Sequence, residues 1–200
     1  MTIRVVEPGN PMFDSRDNCN AIIVTATNTL VHGCNGSTIP DSIEVIADSA
    51  FSQRRNLSHI AIPDGVVYIG EFAFLGCYSL ESEIILHGIH QVARSCFDGC
   101  SRLKKVTIGG GIISIESGAF ASCPMLSEVE ITEGTKYIVT YAFDNCNSLT
   151  SIALPKSIER IESTAFGRCN CIDRVVIPQG TTDYFMRFDA LKQYRHLFVE

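Results

Sequence analysis

Ile115-Glu116-Ser117-Gly118-Ala119-Phe120-Ala121-Ser122-Cys123-Pro124-Met125-Leu126-Ser127-Glu128-Val129-Glu130-Ile131 is one copy of a unit that recurs along most of the chain. Its phenylalanine has copies at Phe51, Phe74, Phe97, Phe143 and Phe166, each 23 residues after the last. A small residue precedes every one: Ala50, Ala73, Cys96, Ala119, Ala142 and Ala165. Three residues after them come Cys77, Cys100, Cys123, Cys146 and Cys169, with Arg54 as the exception in the first copy. Six after come Leu57, Leu80, Leu103, Leu126, Leu149 and Ile172. Nine after come Ile60, Glu83, Val106, Val129, Ile152 and Val175, and eleven after come Ile62, Ile85, Ile108, Ile131, Leu154 and Ile177. The unit reads Ile-x-x-x-Ala-Phe-x-x-Cys-x-x-Leu-x-x-Val-x-Ile.

Alternation in the last segment puts apolar residues on one face of an extended strand and polar ones on the other. One such unit cannot bury its apolar face, whereas stacked units bury each leucine, valine and phenylalanine on its copy in the next coil. The period therefore predicts a β-rich solenoid whose strands pair in parallel, about 4.8 Å apart. Ser42, Gly65, Gly88, Gly111, Gly134 and Ser157 open the other half of each unit, where the coil must reverse. The stretch from Ala-Phe to Cys is too short for a regular helix and reads as a helical turn. Glu83 puts a carboxylate where valine is expected; Ile84 follows at once, so a local bulge that turns Glu83 outward is the cheaper arrangement.

This pattern resembles the BspA-like class of leucine-rich repeats, found largely in surface proteins of anaerobic bacteria and some protozoa. The direct repeat covers residues 39 to 178. The resemblance implies a right-handed leucine-rich-repeat superhelix, non-catalytic, that mediates protein or cell-surface interaction of the adhesion type, with a spacer or scaffold role as the alternative. It also implies a place at the cell surface or outside the cell, any export signal being absent from the chain as given. A cytoplasmic location is the alternative, since Met1 to Pro8 holds no long apolar signal core. The flank from Asn10 to Leu30 is similar to an insertion seen between coils of that class.

Three segments follow: 1–38 as a partial repeat with an inserted β-hairpin, 39–178 as six repeats, and 179–200 as a C-terminal helical cap. Thr2 to Val6 reads as the strand of an earlier coil, and Ala21 to Thr25 with Leu30 to Cys34 as two strands joined by a polar turn. After Pro178-Gln179-Gly180 the period fails, since Asp189 sits where a seventh phenylalanine would fall. Tyr184, Phe188, Leu191 and Phe198 recur there at helical spacing, with Thr181, Thr182 and Asp183 offering N-capping oxygens. A helix over 183–196 is expected to close that end.

The 200 residues are 46% hydrophobic and 19% charged, which suits a globular chain and not a disordered one. A net charge of -6 offers no basic face for nucleic acid, and no 18-residue apolar run exists to span a membrane.

Nine cysteines invite a metal or disulfide, but five of them form the ladder position, where a buried thiol packs as a small hydrophobe. Cys96 takes an alanine slot and Cys171 adjoins the ladder. Cys19 and Cys34 flank the hairpin and are candidates to pair across it in an oxidising compartment. His32, His59, His87, His90 and His196 stand at no metal-ligand spacing with cysteine or carboxylate. No nucleophile elbow is present, and Gly109-Gly110-Gly111 lacks the strand-loop-helix context of a phosphate cradle. Asn35-Gly36-Ser37 and Asn56-Leu57-Ser58 match a glycosylation sequon, which matters only in a eukaryotic secretory host. Neither a catalytic constellation nor a cofactor is expected.

What varies is the outward strand face. Two residues after each leucine lie His59, Ser82, Lys105, Glu128, Ser151 and Arg174; four after lie Ala61, Ile84, Thr107, Glu130, Ala153 and Val176. A protein or glycan partner is expected on this face, between Lys104 and Glu130 above all. Lys104 and Lys105 there sit one coil from Glu128 and Glu130.

Overall fold

The computed structural model describes residues 10–200, so the strand expected over Thr2 to Val6 lies outside the described residues. Strands β1 (Phe13–Asp14), β2 (Ile22–Val24) and β3 (Thr29–His32) open the chain as an antiparallel meander. One strand per coil follows at β4 (Val45–Ile46) and β5 (Tyr68–Ile69), and from there two strands per coil alternate: β6 (Ile84–Leu86), β7 (Gln91–Val92), β8 (Lys105–Ile108), β9 (Ser114–Ile115), β10 (Glu128–Ile131), β11 (Tyr137–Ile138), β12 (Ser151–Ala153), β13 (Arg160–Ile161) and β14 (Arg174–Val176). The chain closes with α1 (Thr182–Phe185), a 3-10 segment at Asp189–Leu197 and β15 (Phe198–Val199). It is a β-solenoid, with parallel pairing between neighbouring coils.

The phenylalanines form one continuous stack. Successive ring centroids lie 5.0, 5.0, 5.3, 5.5 and 5.4 Å apart, with interplanar angles of 2–8°. That spacing is the coil spacing, slightly offset as aromatic faces prefer. All six rings are buried, none more than 3% exposed.

The cysteine ladder runs alongside. Cys77 Sγ donates to the Phe51 carbonyl one coil back (3.2 Å), Cys100 to Phe74 (3.4 Å), Cys123 to Phe97 (3.2 Å), Cys146 to Phe120 (3.3 Å) and Cys169 to Phe143 (3.0 Å). Thiol here is small enough for the slot and still donates weakly to the carbonyl. Burial pushes the Cys77 and Cys123 thiols up to about 12 and raises those of Cys96 and Cys100 as well.

Arg54 stands in the first copy because its neighbour is different. Gly33 occupies the phenylalanine slot of the preceding coil, its N–H donating to Ala50 O (2.9 Å) just as Phe51 N–H donates to Ala73 O (2.7 Å). A Cβ on Gly33 would lie 2.0 Å from the Phe51 ring, so a side-chain-free residue ends the stack. Arg54 Nε takes the role of the thiol, donating to Gly33 O (2.8 Å), and Nη2 reaches His32 Nε2 (2.8 Å). Burial, with the Arg54 charge beside it, lowers the His32 pKa.

The N-terminal hairpin forms with two differences from expectation: its strands are shorter, and β1 adds a third. Asn28 turns the chain in the left-handed region (φ 47°). Arg16 pins the meander, pairing with Asp14 (2.6 Å) and donating to Asn28 Oδ1 (3.1 Å), which holds the Asp14 carboxyl down at about 2. β3 then pairs in parallel with β4, so the meander is stitched onto the solenoid as its first coil. Cys19 and Cys34 are free buried thiols, not a disulfide: Asn20 lies between, its side-chain amide donating to Cys34 Sγ (2.8 Å).

The single helix expected over 183–196 is not formed. Phe188 adopts extended geometry (φ -79°, ψ 120°) and divides α1 from the 3-10 segment. No side-chain oxygen caps α1; Thr181 Oγ1 donates instead to Pro178 O and Thr182 Oγ1 to Glu200 Oε1, both at 2.5 Å. Phe185, Ala190, Leu191 and Tyr194 supply the buried lid, and β15 adds a further parallel strand beside β14.

Candidate functional site

The strands after each leucine present the outward face singled out above. They do not form one sheet. β6, β8 and β10 are one three-stranded sheet and β12, β14 and β15 another, while residues 59–62 form no strand. Each interruption coincides with a groove.

The first groove has a sequence cause. Ile84 pairs with Val106, Ile85 with Thr107 and Leu86 with Ile108, a 22-residue offset where the repeat is otherwise 23. One extra residue has been accommodated at Glu83, and the turn after Leu86 is shorter by one to compensate. Glu83 bulges outward, as expected. The consequence overturns one expected site residue: Ile84 is 1% exposed and belongs to the core, and Ile85 is 48% exposed in its place. Burying the isoleucine beside the bulge satisfies the pleat, since a one-residue slip exchanges the faces of every side chain after it. Ser82 spans the gap: its hydroxyl accepts the Ile60 N–H (3.0 Å) and lies 3.4 Å from His59 Nδ1. A groove of about 420 Å³ opens here, lined by Ser37, Thr38, Ile39, His59, Ile60, Ala61, Ser82 and Glu83.

The second groove, about 330 Å³, lies between β10 and β12 and is lined by Lys105, Ser127, Glu128, Val129, Glu130, Thr150, Ser151 and Ala153. Glu128 pairs in register with Lys105 and Glu130 with Thr107, so these four expected residues are brought together on adjacent strands. Lys104 is exposed just before β8, outside the groove's lining. His59 stands apart, at the first groove. Arg174 is exposed beyond the second interruption, opposite Ser151.

Electrostatically the face is not the simple neutral pair that the spacing suggests. Lys105 Nζ bonds Glu83 Oε1 at 2.9 Å, on the side away from Glu128. The Glu83 bond and charge raise the Lys105 pKa, with Glu128 and Glu130 adding smaller contributions. Ile85 is the face residue that sequence reasoning missed, and the pairing of Glu83 with Lys105 the contact it missed. The signal was available in the misplaced carboxylate followed by three apolar residues. Among the described residues no group of three or more His, Cys, Asp or Glu could hold a metal ion, and no helix is long and apolar enough to cross a membrane.

Coil length, ladder and stack agree with one family. The BspA type leucine rich repeat model matches residues 32–147 and 77–188, in six copies. The chain belongs to this family. Solved structures of other repeat proteins agree. A leucine-rich repeat protein from Eubacterium ventriosum is 27% identical, with a TM-score of 0.68 over 82% of this chain and 51% of its own. A leucine rich cell surface protein from Faecalibacterium prausnitzii shares the fold at 23% identity and TM-score 0.61, over 89% of this chain and 42% of its own. The pneumococcal vaccine antigen PcpA does so at 15% identity and TM-score 0.56, over 96% of this chain and 47% of its own. This BspA-type chain thus spans about half the length of those relatives. No curated protein matches it significantly in sequence.

Proposed function

We propose that the chain is a non-catalytic binding module whose partner, a protein, lies across the outward strand face from His59 to Arg174. The observation that carries this reading is the coincidence of varied, solvent-facing side chains with two grooves on one face. Residues pointing the other way are consumed by the stack and the ladder. Lys104, Lys105, Thr107, Glu128 and Glu130 are the centre of the proposed surface, with His59 and Arg174 at its ends. A protein fits better than a glycan because neither groove is lined by a phenylalanine, tyrosine or tryptophan ring that could stack on a sugar face. We also place the protein at the cell surface or outside the cell, a reading supported by its family.

Replacing Thr107 and Ser151 each by arginine puts bulk on the face without touching the core. Partners captured from neighbouring cells by the parent should be lost with this variant and kept with Tyr137→Arg, which changes the other strand column. Capture indifferent to the face variant would move the site elsewhere, first to the hairpin between Asn20 and Cys34. Absence of any direct partner would favour the spacer role, which the unbroken phenylalanine stack also suits.

A further inference from the structure

The spacing of the sequence puts Lys105 beside Glu128, and the register confirms that they are neighbours. The lysine is nonetheless committed to Glu83 on its other side, 2.9 Å away. Among the described residues no ion pair reaches Glu128 or Glu130. Both carboxylates are exposed, two residues apart on the outward side of β10, over a groove with Val129 and Ala153 in its lining and the hydroxyl-bearing residues Ser127, Thr150 and Ser151 around it. Lys105 also lines the groove, but its ammonium is held by Glu83, so the groove offers apolar contact beneath and two carboxylates with no ion pair of their own above.

We infer that this groove takes a basic side chain, arginine or lysine, from an extended segment of the protein partner. The inference rests on the strand face being the binding surface. A long cationic side chain is amphipathic along its length: its methylene stem covers apolar surface while its head stays with water and counter-charge. Ala153 and Val129 suit the stem and the two carboxylates suit the head. Arginine is favoured over lysine, because its planar fork can engage carboxylates bidentately. An acidic segment meets like charge at the same place, which disfavours it.

The test uses the full chain and a short fluorescent peptide of alternating arginine and serine, with glutamine-for-arginine and glutamate-for-arginine versions, followed by anisotropy near physiological salt. The arginine peptide should bind and the other two should not. Glu128→Gln with Glu130→Gln should weaken it by about tenfold or more, the scale expected for close charge pairs. Glu71→Gln with Asp41→Asn changes net charge equally at exposed positions away from the groove, and should alter binding less than about twofold, because separated exposed charges are screened. Binding equally sensitive to both pairs would mean attraction to the whole acidic chain, and both the inference and the face reading would lose their support. Binding of the glutamate peptide, abolished by Lys104→Gln with Arg174→Gln, would overturn the basic-ligand inference while leaving the face as the binding surface. No binding of the arginine peptide overturns the inference outright.

Discussion

Raising the pH attacks this fold through its thiols. Cys77, Cys96, Cys100, Cys123 and Cys146 all have pKa values raised above the ordinary 9.0. Burial is the main cause for the first four, and the neighbouring Cys169 thiol followed by burial for Cys146. Below pH about 9 the thiols are protonated in both states and their contribution to stability is intact. Above it the unfolded chain loses protons that the folded chain keeps, so the unfolded state binds fewer protons and stability falls as pH rises. The loss continues until the folded thiols ionise, near 12 for Cys77 and Cys123. At pH about 10 each unfolded thiolate is worth about 1.4 kcal/mol. Cys146 is offset by Cys169, whose pKa the same thiol–thiol bond lowers, so the other four amount to about 4–6 kcal/mol, comparable with the whole stability of an ordinary domain. Urea unfolding followed by circular dichroism, with a phosphine reductant present, measures this directly. The midpoint should change little between pH about 7 and 8 and then fall steeply, leaving the chain at or near unfolding by about 10. Thiolate absorbance should appear together with the loss of folded signal. Cys100→Ala with Cys123→Ala should reduce the pH-dependent loss to about half of the parent's, whatever it does to stability at neutral pH. A midpoint that stays flat to pH about 10, or thiolates that appear while the fold persists, would refute the burial of the ladder.

Three further outcomes are expected. Phe97→Ala removes a ring stacked on both sides and should cost about 3–5 kcal/mol, read as a lower urea midpoint, whereas a cost below about 1 kcal/mol would mean that the stack is not a packed core. Gly33→Ala drives a Cβ to 2.0 Å from the Phe51 ring and should lower the melting temperature clearly, while Gly110→Ala, with nothing within 4 Å of its Cβ, should leave it unchanged; equal effects would contradict the closed end of the stack. A bulky thiol reagent on the native, reduced chain should modify Cys171 quickly, because it is the one exposed cysteine among the described residues, and rapid modification at Cys100 or Cys123 would place the ladder at the surface.

The repeat was legible in the sequence because stacking copies identical neighbours: a side chain that packs on its own image must recur at the coil length. Phenylalanine, cysteine and leucine positions therefore declared the solenoid, its core and the buried state of the ladder without coordinates. The outward bulge of Glu83 was legible for the same reason, since a carboxylate cannot sit in a stack of valines without partners. What the repeat could not say is how the chain recovers its register afterwards. Whether Ile84 or Ile85 faces the core depends on the pleat downstream of the bulge, and a counting rule with a fixed period assigns the wrong one. The partner of Lys105 was hidden too. Strand spacing places Glu83 and Glu128 on either side of it, and only side-chain geometry chooses Glu83. The split of the outward face into two sheets, which makes the grooves, is likewise set by hydrogen bonds between coils. At the C-terminus helical spacing correctly marked an apolar lid, but the break at Phe188 and the added strand at Phe198 come from fitting that lid onto the last coil. Local pattern names the residues that must be buried, because burial depends on residue type; which neighbour an exposed charge chooses, and where a sheet opens, depends on distances that only the packed coils define.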